Sequence, residues 1–396
     1  MDLKNKGMEE AVKVGVIGVG NMGSVHLGFF RDGVIRSARV TAIADLDPVK
    51  IERARGIIGE GVACYPSGDA LIDEADLDAV IIATPHYSHP ALAVRAFNKG
   101  LHVLSEKPAG VYVKQVREMN EAAKKSGKLF SVMFNQRANP LHKAIYESMH
   151  GGEIGDLKRV NWVITNWYRT QSYYDSGAWR ATWAGEGGGV LINQALHQLD
   201  LLQWFTGMPQ RVRAFCGFGK WHDIEVEDDV TAYFEYPSGA TGVFVTTTGE
   251  PHGVNRLEIV GTKGKLLLEH AVLYQTKYED ERAFCRESEA AFGEPAAETV
   301  ERARLQGSFD RHSEVLNNFI AAVRGEEPLF VHGEEGIHSV TLVNAMLLSA
   351  WRGKPVTIPF SEDAYLKELK ARAKNSRAKQ DVTGLVLDNT TSFGGV

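Results

Sequence analysis

The 396-residue sequence holds only three cysteines, Cys64, Cys216 and Cys285. They are odd in number and far apart, so they outline neither a disulfide framework nor a zinc knuckle, and reduced thiols in a cytoplasmic protein are expected. No apolar run approaches the ~18 residues of a membrane span, and the opening MDLKNKGMEE has no signal-peptide core, so neither membrane insertion nor export is expected. An excess of one charge is also missing. The 44 Lys+Arg against 50 Asp+Glu leave a net charge of −6, which argues against nucleic acid or an anionic membrane as the main partner. His-Glu-x-x-His and clustered Cys/His patterns are absent, so no catalytic metal is expected. Internal repeats and low-complexity blocks are absent too.

What is present is the composition of an ordinary globular enzyme, 44% hydrophobic and 24% charged, long enough for two domains. Lys13 to Gly20 (KVGVIGVG) reads as a buried parallel strand opening into Gly18-x-Gly20-x-x-Gly23 and then a helix through His26 and Phe30. With 40 glycines in the chain the bare pattern arises by chance, so its context decides. A second strand, Arg39 to Asp45, ends in a carboxylate 22 residues beyond Gly23, where a dinucleotide fold needs an acceptor for ribose hydroxyls. Glycines let the backbone approach a pyrophosphate, whose charge is met by the N–H groups of the next helix. Asp45 and Asp47 would repel a 2′-phosphate, which favours NAD over NADP; Arg53 and Arg55 would offset this if they folded back. Asp45 also suits a cap on the helix opening at Pro48.

The alternation continues with strands at 62–65, 78–85, 102–108 and 129–134, separated by helices, which predicts a doubly wound parallel sheet over residues 1–135. Thr84-Pro85 and Glu106-Lys107-Pro108 fall at strand ends, where such sheets bind ligands. His86 and His89 lie there as well, and from the residues alone they suit surface or capping roles. Residues 136–396 read differently. Strands at 156–167, 211–218, 229–236, 240–247, 256–260 and 265–270, with turns at Pro237-Ser-Gly239 and Gly261-Thr-Lys-Gly264, predict an α+β domain with a large, mostly antiparallel open sheet. Helices are expected at 311–324 and 337–351, and a loosely held tail after about 375.

The stretch Glu186 to Trp204 reads as a glycine-led helix ending near Gly207. Asn193, His197, Asp200 and Trp204 then share one face at i, i+4, i+7 and i+11, which means either a packed hydrogen-bond network or a site. Just before it, Trp162, Trp167, Trp179 and Trp183 interleave with Tyr168, Tyr173, Tyr174, Arg169 and Arg180. Such a cluster suits sugar rings, and equally a core or a subunit interface.

Taken together, the Gly18-x-Gly20-x-x-Gly23 turn, Ala44-Asp45, Ala83-Thr84-Pro85, Glu106-Lys107-Pro108 and Gly187-Gly-Gly-x-x-x-Asn193-x-x-x-His197-x-x-Asp200 resemble the glucose–fructose oxidoreductase / inositol dehydrogenase / MocA family from Val14 to about Phe360. The resemblance implies an N-terminal Rossmann domain, a second domain whose sheet forms a homodimer or homotetramer, and hydride transfer between NAD and a secondary alcohol of a sugar, glycoside or cyclitol. It implies Lys107 as the catalytic lysine and His197 as the group that takes the hydroxyl proton, with Asn193 beside them. It further implies cofactor contacts from Gly18, Gly20, Asn21, Met22, Gly23, Asp45, Thr84, Pro85, His86, His89, Glu106 and Lys107. Substrate contacts fall to Lys107, Trp167, Arg169, Arg180, Asn193 and His197. Two departures stand out: Asn193 occupies a position where many relatives carry Asp, and His86 one where Asn is common. An NAD-retaining glycosidase working by oxidation, elimination, addition and reduction shares the constellation; a non-enzymatic dinucleotide-binding regulator is a further alternative, though such a protein has little reason to keep Lys107 and His197 together.

Overall fold

The computed structural model describes residues 11–306, 311–376 and 379. Strands β1 (Val12–Ile17), β2 (Ala38–Ala44), β3 (Ala63–Tyr65), β4 (Ala79–Ile82), β5 (His102–Ser105) and β6 (Phe130–Val132) form a parallel sheet in the order β3-β2-β1-β4-β5-β6. The central strands are apolar throughout because helices cover both faces: Val14, Val16 and all of β4 are buried. Those helices are α1 (Asn21–Arg31), α2 (Pro48–Ile58), α3 (Gly68–Glu74), α4 (His89–Asn98) and α5 (Val113–Ser126). The cap of α2 is Asp47, whose carboxylate accepts from the Val49 N–H at 2.9 Å; Asp45 does not cap it. Helix α5 stops at Gly127 in the left-handed region, φ 67°.

The second sheet has nine strands in the order β14-β13-β12-β11-β7-β10-β9-β8-β15. They are β7 (Leu157–Ile164), β8 (Arg211–Phe218), β9 (Glu227–Glu235), β10 (Thr241–Thr247), β11 (Asn255–Gly261), β12 (Gly264–Glu269), β13 (Val272–Tyr278), β14 (Ala297–Arg304) and β15 (Val356–Thr357). Every pairing is antiparallel except β7 with β10. Strands β13, β14 and β15 go beyond the sequence reading. β14 is almost wholly exposed, so its residues lack the apolar alternation that marks a strand. The expected tail after about 375 lies, apart from residues 375, 376 and 379, outside the described residues.

The longer helices of the second half are α6 (Pro140–His150), α7 (Leu196–Thr206), α8 (Arg311–Val323), α9 (Gly336–Arg352) and α10 (Glu362–Ala373), with short helical turns at Gln171–Asp175 and Glu281–Glu287. Trp162 pairs across the sheet with Phe244 and Leu257 and reaches Phe205 of α7. All four side chains are buried, so Trp162 belongs to the core and not to a sugar platform. Trp183 is likewise buried, against Phe218 and Trp351. Helix α9 packs on β8, α7 and α5, and its buried Asn344 accepts from Val113 N at 3.1 Å while donating to Val111 O at 3.0 Å. One side chain thereby fastens the loop after Pro108 to the second half of the chain.

Asp200 is turned away from any ligand site. Its carboxylate takes a bidentate bond from Arg137, at 2.8 Å to Nε and 2.7 Å to Nη2, with both side chains 1% exposed; Glu335 pairs with the same guanidinium. Removing one partner leaves an uncompensated buried charge. Arg137→Met is therefore expected to lower the urea unfolding free energy by about 3–5 kcal/mol, and the double replacement Arg137→Met/Asp200→Leu to recover most of it. A single variant within 1 kcal/mol of the native protein would contradict this reading of the pair.

Candidate active site

A crevice of about 790 Å³ runs along the carboxyl ends of the first sheet and is closed on its far side by the second half of the chain. At one end, β1 turns into α1 through the three glycines. Gly18 has φ 87°, and a Cβ there would meet the Ala83 carbonyl at 2.7 Å. A Cβ on Gly20 would meet nothing within 4 Å, and one on Gly23 would lie 2.0 Å from Gly18 O. Gly18 and Gly23 thus permit a tight turn, while Gly20, Asn21 and Met22 line the crevice. The N-cap of α1 is Gly20, which has no side chain to cap it, and no acid lies in the first turn, so this helix N-terminus suits an anion. Asp45 lines the same end; its Oδ2 accepts from Val19 N and its Oδ1 from Asp47 N, both at 3.0 Å. These residues fit a dinucleotide, with pyrophosphate on the turn and ribose at Asp45.

At the other end, Lys107 leaves β5 and reaches Asn193. Its Nζ donates to Asn193 O at 2.9 Å and to Asn193 Oδ1 at 3.2 Å. The amide nitrogen of Asn193 donates to the Glu186 carboxylate and, at 3.3 Å, to Tyr173 Oη. Burial lowers the pKa of Lys107, against the carboxylates of Glu106 and Glu186, which raise it. His197 stands beside this group, 8% exposed, with Nδ1 unpartnered among the described residues. Burial, and then the Lys107 charge, hold its pKa well below 6.5, so it is a neutral imidazole at pH 7. Glu106 receives 2.8 Å contact from His26 Nε2. Burial would raise its pKa, but the hydrogen bond and charge of His26, followed by the charges of His312 and Lys107, bring it down to about 2.

Thr84, Pro85, His86, Trp167, Arg169 and Arg180 also line the crevice; Gly23 and His89 do not. His86 is 5% exposed, not a surface residue, with Nδ1 donating to Glu186 O at 3.2 Å and its ring edge-on to Trp179. His89 is buried behind the wall, its nitrogens 2.8 Å from Pro108 O and 2.6 Å from Thr84 O. Four crevice or supporting residues were outside the sequence selection: Tyr173, Gln194, Glu186 and His312. Tyr173 stood within the aromatic cluster; His312 had no signal, because α8 reaches the site only through the fold.

The helix expected from Gly187 begins only at Leu196. Residues 187–195 form successive turns, so Asn193 and His197 converge without sharing a continuous helical face. The cause is Glu227, whose Oε1 accepts from Gly189 N at 2.9 Å and Leu191 N at 3.1 Å. A distant carboxylate takes the N–H groups and a Cβ at Gly189 would strike Glu227 O at 2.0 Å.

A glycine turn at a strand–helix junction, a strand-end acid beside it and a crevice closed by the loops and helices of the second half of the chain are the features of a two-lobed nicotinamide oxidoreductase. Comparison with known proteins agrees. Residues 12–134 match the model of an oxidoreductase family with an NAD-binding Rossmann fold, and residues 142–267 that of the GFO/IDH/MocA C-terminal domain. The chain belongs to the GFO/IDH/MocA family of NAD-binding oxidoreductases. It is 27% identical to the rhizopine catabolism protein MocA of Rhizobium meliloti over 49% of this chain, which spans 57% of that relative. It is 25% identical to a myo-inositol 2-dehydrogenase of Thermotoga maritima over 82% of this chain and 92% of the relative. Among solved structures, the WlbA dehydrogenase of Chromobacterium violaceum, in complex with NADH and UDP-GlcNAcA, superposes with a TM-score of 0.76 at 28% identity, covering 89% of this chain and 97% of that one.

Glu227 supplies a stability test of the loop. Burial, opposed by its backbone hydrogen bonds, pushes its pKa from 4.5 up to about 7. A raised folded pKa means stability that is full below the unfolded value and lost as pH rises through the folded one. Glu227→Gln removes that loss. The native protein is expected to lose urea stability relative to the variant between pH 4.5 and 7; parallel midpoint curves across this window would contradict it.

Proposed function

We propose that the chain transfers hydride between NAD and a secondary alcohol of a sugar, glycoside or cyclitol. The observation that carries this is the convergence of Lys107 from the first sheet and His197 from the second half on one crevice whose other end holds the glycine turn and Asp45. Relatives named as acting on inositols, and a neighbour holding NADH with a sugar nucleotide, support the choice of substrate.

Nicotinamide, when bound, supplies the hydride acceptor or donor. The protein side falls to three residues. His197, neutral because it is buried next to a cation, takes the hydroxyl proton. The Lys107 ammonium hydrogen-bonds the same oxygen and stabilises its developing negative charge. Asn193 takes no proton; its two oxygens aim Lys107, and Glu186 fixes which way its amide faces. Lys107→Ala and His197→Ala are each expected to lower kcat by ~10²–10⁴-fold in an NAD-reduction assay. Near-native turnover in both folded variants would remove the assignment. Because the His197 pKa is depressed, kcat/KM is expected to stay on its plateau as pH falls through 6.5 and to decline only below it.

NAD preference over NADP rests on Asp45, with Lys50 only 3.9 Å away partly offsetting its charge. The expected result is a higher KM for NADP than for NAD, narrowed by Asp45→Ser; equal KM values in the native protein would contradict it. Formation of NADH in step with substrate loss separates this activity from glycoside cleavage with retained NAD.

Residues 1–135 are assigned to dinucleotide binding and 136–396 to substrate binding and assembly, supported by the first sheet ending at Val132 and the second beginning at Leu157. Exposed Phe215 and Tyr233 on adjacent strands β8 and β9 support a homodimer or homotetramer formed through that sheet. The three free cysteines are compatible with a cytoplasmic location.

A further inference from the structure

Helix α1 carries a second polar group besides its N-terminal turn. His26, three residues past Gly23, is 0% exposed, and its Nε2 lies 2.8 Å from Glu106 Oε1 at the end of β5. The other oxygen of Glu106 accepts from Lys107 N at 3.2 Å. Both oxygens of this buried carboxylate are thus met by N–H donors, without which burying it would be costly. An ionised carboxylate only accepts, so the proton of the first contact belongs on His26 Nε2. His26 Nδ1 has no partner among the described residues, which leaves Glu106 as the one group that the ring nitrogens bond there.

Glu106 in turn acts on the reacting groups. Burial disfavours the Lys107 ammonium; Glu106, and after it Glu186, oppose that effect, while Arg180 and Arg169 add to it. The Lys107 charge is also felt by His86, His89 and His197, and disfavours charge on each. Glu106 serves as a counter-charge only while it is ionised, and burial pushes it towards protonation. The His26 hydrogen bond is the largest influence against burial, followed by the charges of His26, His312 and Lys107, and together they bring Glu106 down to about 2. Without the imidazole the carboxylate would be left buried and short of a donor.

We propose that His26 is a positioning residue: from the dinucleotide-binding helix it fixes the Glu106 carboxylate as counter-ion of Lys107, so that the lysine meets the reacting oxygen as an ammonium. This rests on the crevice being the alcohol-oxidising site argued above. The helix whose N-terminus suits the pyrophosphate then also sets the charge of the lysine at the other end of the crevice.

The test reads Lys107 itself. The full chain, without substrate, is labelled with trace acetic anhydride over a pH series. Acetylation of Lys107 is read by peptide mass spectrometry against Lys124 and Lys125, which are exposed on α5. A free amine acylates and an ammonium does not, so the midpoint of the curve reports charge and its high-pH plateau reports access. Glu106→Gln and His26→Leu are each expected to move the midpoint to lower pH. At about pH 7 Lys107 should then label about threefold or more faster than in the native chain, with the plateau changed by less than about twofold. His26→Gln, whose amide can still donate to Glu106, should bring the midpoint back towards the native one. A merely structural role would loosen the site instead, raising the plateau and, by admitting water, moving the midpoint up. His26→Met takes the place of His26→Leu should that variant fold poorly. An unmoved or raised midpoint in Glu106→Gln or in the apolar His26 variant overturns the proposal, whatever the turnover shows. The same variants are assayed for NAD reduction over inositols, sugars and glycosides, where the basic limb of kcat/KM should move with the labelling midpoint. A lowered midpoint in a chain that reduces NAD with none of them would keep the link from His26 to Lys107 and remove the dehydrogenase reading.

Discussion

The structure depends on one contact across the crevice, the Lys107 ammonium held by the backbone and side-chain oxygens of Asn193. Lys107 arrives on the end of a buried parallel strand, Asn193 on a glycine loop from the other half of the chain. The bond therefore joins two separately built scaffolds at the point where an alcohol would react. A half-buried ammonium is costly unless it is solvated by fixed dipoles, and the Asn193 oxygens supply these without giving up a formal negative charge. That charge is set one residue further back, on Glu186, which orients the Asn193 amide and moderates the fall in the Lys107 pKa.

In the proposed reaction the arrangement lets two basic groups divide their work. Lys107 and His197 share one environment, and burial disfavours charge on both. Glu106 and Glu186 counteract this at Lys107. At His197 the Lys107 charge adds to the effect of burial, with only Glu106 among the main influences acting the other way. One group is left as donor and the other as acceptor, the pairing that reversible alcohol oxidation requires. On the cofactor side the acid Asp45 stands beside the turn that opens α1, its Oδ2 accepting from Val19 N at 3.0 Å.

Local chemistry made much of this legible. Gly18, Gly20 and Gly23, the strand-end Asp45 and Thr84-Pro85, and the hairpin turns near Gly239 and Gly261 carry signals in their local spacing, and strand alternation located most of both sheets. The resemblance supplied the pairing of Lys107 with His197. What stayed hidden depends on distant partners. The turns at 187–195 carry helical periodicity, yet their N–H groups are claimed by Glu227, 36 to 38 residues away. Asp200 looked as eligible for a site as His197 until Arg137 was seen to neutralise it. Asn344 and His312 each serve a region more than 170 residues away, and no window of sequence reports that.

The central claim is that hydride moves directly between a substrate carbon in this crevice and nicotinamide. It is tested most directly by supplying NAD with an alcohol deuterated at its carbinol carbon and reading the mass of the NADH formed. The account predicts that the deuterium appears in NADH, with a primary isotope effect on kcat/KM if hydride transfer limits that step. Product formed with unlabelled NADH, or with the deuterium released to water, would contradict it.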